Sequence, residues 1–212
     1  LSRRNLALRG RESFEKVITM AEYARNEINS IGGYYAYGKE LIDGKNVFDF
    51  DVTKLCVYTK DIGLTGIEIY DLLRDEYDIQ IEFGDIGNIM AYISIGDRLQ
   101  DIERLVGALE DIKRLYAREK SGLAFVDAVI PKVVSSPQYS FYAEKESVPI
   151  KEACGRVAGE SVMAYPPGIP ILAPGELITK DIVDHILYAK EKGCSLQGTA
   201  DPEVKRLEVL IK

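Results

Sequence analysis

Histidine is almost missing from this chain: among 212 residues there is only His185. Any Ser-His-Asp chemistry would have to run through it. Yet His185 sits beside the apolar stripe of a predicted helix, where a solvent-exposed or internally satisfied imidazole is expected. Cysteine is scarce as well. Cys56, Cys154 and Cys194 are far apart, odd in number and without CxxC or Cys/His spacing. A zinc site needs about four clustered ligands, so no metal site is expected, and the thiols fit a reduced cytoplasmic protein. No GxGxxG or Walker loop and no GxSxG elbow occurs. No apolar run approaches the ~20 residues that span a bilayer, and no signal peptide opens the sequence, so neither membrane nor export is expected. A basic surplus is also lacking. Lys and Arg number 27 against 34 Asp and Glu, a net charge of -7, which argues against nucleic acid as partner because phosphate contacts need a basic face.

What is present describes a globular chain. Apolar residues make up 46% and charged residues 29%, and the length suffices for one large domain or two modest ones. The first residue is Leu1, and the chain opens inside a helical charge pattern of Arg3, Arg4, Arg9 and Arg11, so a fragment or a processed product is expected.

Over residues 10–31 the apolar positions Phe14, Val17, Ile18, Ala21, Ala24, Ile28 and Ile31 recur at three- and four-residue steps, one stripe of an amphipathic helix. Gly32 and Gly33 stop it. Residues 34–37 form a short strand candidate, 38–45 a polar turn, and 54–59 a strand. Thr65 caps a helix with Ile69, Leu72, Leu73 and Tyr77 inward, and Glu68 completes a capping box. Residues 79–83 alternate as a half-buried strand, 89–95 suit a central strand, and Asp97 opens a helix lined by Ile102, Leu105, Val106, Leu109, Ile112 and Tyr116 that runs to Lys120. The order α, β, β, α, β, β, α predicts an α+β domain over residues 1–120, with helices on one face of a largely antiparallel sheet. The carboxylate pairs Asp71/Asp75 and Asp101/Glu103 fall on wet helix faces and read as solvation.

Ser121-Gly122 marks a boundary, and the character changes beyond it. Seven of the eight prolines fall in residues 131–176, which predicts loops and short strands. A helix returns over residues 180–192 and stops at Gly193. The unusual element is the run GRVAGESVMAYPPGIPILAPGE at residues 155–176. Its Tyr-Pro-Pro-Gly and Pro-Gly-Glu corners make a stiff path suited to hold a wall or an interface, or simply to brace a core.

That run resembles the signature of the Orn/Lys/Arg decarboxylase C-terminal domain. SPQYSF at 136–141, KESVP at 145–149 and CSLQGTADP at 194–202 look like the same family. ALRGR at 7–11, DVTKL at 51–55, GLTG at 63–66, Glu82 and SIGD at 94–97 resemble the small domain of its aminotransferase-like half.

The resemblance implies a small aminotransferase-like α/β sandwich domain over residues 1–120. A proline-rich mixed α+β C-terminal domain would follow over 121–212. It also implies a parent enzyme of pyridoxal-phosphate fold type I that decarboxylates arginine, lysine or ornithine in polyamine metabolism. Members assemble at least as homodimers, and arginine is slightly preferred as substrate. The family's Schiff-base lysine lies in a Ser-x-His-Lys context in the large domain. No His-Lys pair exists here, so the partner implied is an N-terminal cofactor domain of the same polypeptide, upstream of Leu1. This chain alone is expected to hold no catalytic residue, to bind no cofactor and to be inactive. Candidates for the substrate entrance or interface are Arg156, Glu160, Tyr165, Pro166, Pro167, Gly168 and Glu176. Glu160 carries a charge that would attract an ammonium or guanidinium tail; an i,i+4 pair with Arg156 that only pins the loop is equally open. Asp51 and Glu82 are read as packing residues. Two other readings stand beside this one: a non-catalytic oligomerisation or regulatory module, and an aminotransferase, which the YPPGIP block disfavours.

Overall fold

The computed structural model describes residues 1–119, 129–165 and 167–211. The chain divides into two compact units, Leu1–Leu123 and Ala124–Lys212. The boundary expected at Ser121-Gly122 lies outside the described residues.

Unit 1 opens on α1 (Ser2–Ile31), longer than its apolar stripe predicts. Its first turns hold Leu, Ala and Arg, all strong helix formers, with the i,i+4 pairs Arg11–Glu15 and Lys16–Glu12 on the wet face. Val17, Ala21, Ala24 and Ile28 are fully buried, whereas Phe14 and Ile18 remain exposed at 40% and 36%. Within the unit the stripe is therefore covered along Val17, Ala21, Ala24 and Ile28 and left open at Phe14 and Ile18. The helix ends where Gly32 and Gly33 take φ of 72° and 77°, and Lys113 Nζ donates to the Ile31 carbonyl at 2.6 Å.

The sheet has the order β1 (Tyr35–Ala36), β2 (Lys54–Tyr58), β4 (Asn88–Tyr92), β3 (Phe83–Gly84), all antiparallel, with Cys56 opposite Met90 at its centre. Leu55, Val57, Ile89 and Ala91 alternate inward beneath α1, α2 (Gly66–Tyr77) and α3 (Leu99–Tyr116). Thr65 and Glu68 form the expected capping box at α2, with Thr65 Oγ1 accepting from the Glu68 N–H at 3.1 Å.

Four boundaries differ from expectation, one of them the end of α3, which stops at Tyr116 rather than Lys120 because Ala117 is extended. Of the strand expected at 79–83, only Phe83 joins the ladder, in β3 (Phe83–Gly84). Asp78 takes a left-handed turn and the Ile79 N–H returns to the Leu73 carbonyl at 2.8 Å, so this stretch is spent closing α2, although Ile81 stays inward and Glu82 outward. β4 stops at Tyr92 because the Asp97 carboxylate folds back onto the Ser94 N–H at 2.6 Å. α3 then starts at Leu99 rather than Asp97, with Asp101 accepting from the Arg98 N–H.

Unit 2 has the short strands that its prolines foretell. β5 (Lys145–Pro149) pairs β9 (Arg206–Leu210), and a three-stranded sheet runs β7 (Ile169–Leu172), β6 (Val162–Tyr165), β8 (Ser195–Gln197). Pro170 lies on the edge strand β7, where a missing N–H is tolerated. The core gathers Ile150, Val162, Leu172, Ile178, Leu207 and Val209 with Ile182 and Ile186 of α5 (Lys180–Glu191). One helix was not expected among the prolines: α4 (Pro137–Tyr142), in which proline occupies the first turn, where its absent N–H costs nothing, and Ser136 Oγ accepts from the Tyr139 N–H.

Candidate functional site

The signature run is a scaffold with one projecting tip. At its start Arg156 donates to the Glu146 carboxylate and to the Leu210 carbonyl, the latter at 2.7 Å, which ties β5 to β9. The Arg156–Glu160 pair left open above does not form. Glu160 turns the other way. Its two oxygens accept from the Ala200 N–H at 2.7 Å and the Glu208 N–H at 2.9 Å. Burial pushes this carboxyl up, against the pull of those two amides.

A second carboxylate completes the frame, and the sequence reading gave it no role. Asp201 Oδ1 accepts from the Glu203 N–H, and Oδ2 from those of Lys205 and Arg206, at 2.9 to 3.0 Å. Glu160 and Asp201 together hold the backbone of residues 200–208 into the start of β9. Gly198, at φ 92°, lets the chain pass Ser161, whose carbonyl lies 2.9 Å from where a Cβ would stand. The conformation behind CSLQGTADP is thus legible as a carboxylate-braced turn. At Asp201, desolvation works against ionisation, and the three N–H bonds outweigh it, so the pKa is lowered. A depressed folded-state pKa gives stability that is present above the ordinary value of 3.8 and lost as pH falls through the folded value. Asp201→Asn is expected to lower the melting temperature at neutral pH and to flatten the loss below about pH 4, measured by thermal unfolding across pH 2 to 7; an unchanged acid limb would remove Asp201 from this role.

The Pro-Gly-Glu corner is structural in the same sense. Glu176 Oε2 accepts from the Ala173 N–H at 2.7 Å. Gly175 at φ 91° receives the Val134 and Ser135 N–H groups on its carbonyl, and Ser135 O lies 2.3 Å from its absent Cβ.

Between these anchors the β6–β7 hairpin carries Tyr165, Pro167, Gly168 and Ile169 at its tip; Pro166 lies outside the described residues. Gly168 at φ 94° closes the turn, its N–H donating to the Ala164 carbonyl at 2.9 Å. Tyr165 is 50% and Ile169 66% exposed. Glu160 and Tyr165 are therefore not one cluster. The first sits at the root and the second at the tip, about 16 Å apart along extended chain at ~3.3 Å per residue.

The remaining candidates lie elsewhere. Asp51 accepts from the Thr53 N–H and hydroxyl, which lowers its pKa. Glu82 is exposed on the rim of a groove of about 380 Å³ that also holds Asp78, Asp97, Asp101 and Arg104. His185 corrects the expectation of an exposed or satisfied imidazole: it is half-buried, and its Nδ1 is buried without a hydrogen-bond partner among the described residues. Arg25 drew no attention in the sequence. It is 8% exposed, and its guanidinium is spent on the carbonyls of Ala21, Tyr37, Val52 and Lys54. Among the described residues, no group of three or more His, Cys, Asp or Glu side chains is placed to hold a metal, and no helix is long and apolar enough to cross a membrane.

Comparison with known proteins bears on this scaffold. Residues 123–202 match the sequence model of the Orn/Lys/Arg decarboxylase C-terminal domain. Arginine decarboxylases of Bacillus anthracis and Halalkalibacterium halodurans are 36% and 37% identical over 99% of the chain. The chain spans 43% of the length of each. In fold it is similar to the lysine decarboxylase of Francisella novicida, with a TM-score of 0.70 at 18% identity over 94% of this chain and 40% of that one. By sequence, residues 123–202 match the Orn/Lys/Arg decarboxylase C-terminal domain, and the chain as a whole is similar to the C-terminal part of arginine decarboxylases.

Proposed function

We propose that these residues are the C-terminal part of a pyridoxal-phosphate-dependent decarboxylase of a basic amino acid, arginine before lysine or ornithine, acting in cytoplasmic polyamine metabolism. The observation that carries the reading is the 36–37% identity to two arginine decarboxylases over 99% of the chain. Pyridoxal phosphate supplies the electron sink for the charge left when CO₂ departs. In this reading the residues in hand do not make up its site. No lysine is among the buried polar side chains of the described residues, and His185 is followed by Ile186 rather than lysine. The cofactor's lysine is assigned to an N-terminal domain of the same polypeptide.

In this reading the task of unit 2 is to shape and to exclude. The stiff tip of Tyr165, Pro167 and Ile169 is an uncharged wall that loses little entropy on ordering. Its place is at the substrate entrance or against a second subunit of a homo-oligomer. The test is CO₂ release by the whole polypeptide that carries these residues, offered L-arginine, L-lysine and L-ornithine. Arginine turnover that exceeds the other two is expected, and no decarboxylation of any of the three overturns the reading. The 212-residue chain mixed with pyridoxal phosphate is expected to give no borohydride-fixed adduct at a single lysine. One such adduct would place the cofactor lysine in this chain after all.

A further inference from the structure

The sole histidine has no part in the scaffold described above, yet its surroundings are unusual. His185 and Tyr188 stand three residues apart in α5, a spacing that puts their Cβ atoms about 5–6 Å apart on one helix face. His185 Nδ1 and Tyr188 Oη are both buried with no hydrogen-bond partner among the described residues. α5 packs on β7 and β8. Neither strand, Ile169–Leu172 or Ser195–Gln197, offers a titratable side chain. Around α5 itself the ionisable neighbours are few. Asp181 is exposed one turn before His185, Asp184 is exposed and paired with Lys180, and Lys192 lies with its ammonium 5.5 Å from the Tyr188 ring centroid. The half-buried Cys194 follows the helix. No carboxylate comes to the imidazole from the packed strands.

Two orphaned polar atoms three residues apart on one helix call for partners, since each would otherwise carry the full cost of leaving water. A single internal water accepts and donates enough bonds to serve both. We propose that His185 and Tyr188 form a proton-responsive joint. The neutral imidazole and the phenol share one internal water where α5 meets β7 and β8. A second proton on the imidazole, met by no carboxylate from the packed strands, breaks that seating and loosens α5 from the sheet that carries the Tyr165 tip.

Burial alone lowers the His185 pKa from its ordinary 6.5. A depressed folded-state value means that stability is fully present above pH 6.5 and falls as pH drops from there to the folded value. Each unit of depression is about a tenfold fall in the folding constant. The proposal does not depend on the decarboxylase reading, because its test needs no catalysis.

With one histidine, the 212-residue chain gives one imidazole Cε1–H resonance, and its titration reports this site alone. The expected midpoint lies below 6.5, the Leu172 and Leu196 methyl resonances shift with the same midpoint, and the melting temperature falls over the same interval. His185→Gln is expected to remove that part of the pH dependence. Tyr188→Phe decides the water. If the phenol is hydrated as proposed, the variant melts at a lower temperature. If Oη is dry and unpaired, deleting it raises the melting temperature, and the joint is refuted. A midpoint at or above 6.5, methyl groups silent to the titration, or an identical pH profile in His185→Gln refutes it equally.

Discussion

Gly66→Ala is expected to abolish the folding of unit 1, at a cost of about 4 kcal/mol or more, in the exceptional range for one substitution. Alanine is the better helix former by about 1 kcal/mol, so propensity alone predicts the reverse. Geometry decides against it. A Cβ at Gly66 would stand 1.8 Å from the Asn88 carbonyl oxygen and 2.8 Å from that of Asp85. These are backbone atoms of the β3–β4 turn, held by Asn88 and Gly87 N–H bonds to the Asp85 carboxylate, so no rotamer relieves the clash. Gly84 faces the same crossing from the other side, with Gly66 O 2.1 Å from its absent Cβ. Gly107→Ala is the control. Gly107 lies exposed within α3 with nothing within 4 Å of the added carbon, and the same change is expected to stabilise by about 0.5–1 kcal/mol. Thermal unfolding followed by far-UV circular dichroism measures both. Equal effects at the two positions would show that backbone crowding at Gly66 is not what fixes α2 to the sheet.

The contrast explains what the sequence makes legible. Periodicity finds α1, α2 and α3, because burial on one face imposes a repeat that needs no knowledge of the partner, whereas the alternation at 79–83 misleads, since only Phe83 of it joins the ladder. The Thr65–Glu68 capping box is legible for a similar reason: both partners lie within one turn. What stays hidden depends on residues distant in sequence. Nothing near Gly66 announces the Asn88 carbonyl. Arg25 interrupts the apolar positions Ala24 and Ile28, yet its acceptors at Tyr37, Val52 and Lys54 come from other elements. The proline-rich run was conspicuous, but its composition did not separate the parts that brace unit 2 from the exposed tip. Only the fold reveals that Glu160 faces amides 40 and 48 residues away.

Glu160→Ala is expected to cost unit 2 about 1–3 kcal/mol, because it takes the acceptor from two part-buried amides, those of Ala200 and Glu208. Glu160→Gln keeps one carbonyl oxygen but turns an NH₂ toward the other amide, so its cost is expected to fall between wild type and alanine. The pH dependence has a defined sign. The raised folded-state pKa of this carboxyl gives stability that is full below the ordinary value of 4.5 and lost as pH rises through the folded value. The gap between wild type and the alanine variant should therefore be widest in acid and narrow toward neutrality. Amide hydrogen exchange resolves the effect in place: the Ala200 and Glu208 amides should lose protection in the alanine variant while the unit 1 sheet keeps its own. The same variants separate the brace from a charge that draws substrate. A brace lowers stability and exchange protection first, and any loss of decarboxylation in the whole polypeptide follows from that. A substrate-facing charge would instead raise KM for a cationic amino acid with stability and exchange unchanged, and that outcome would overturn the brace.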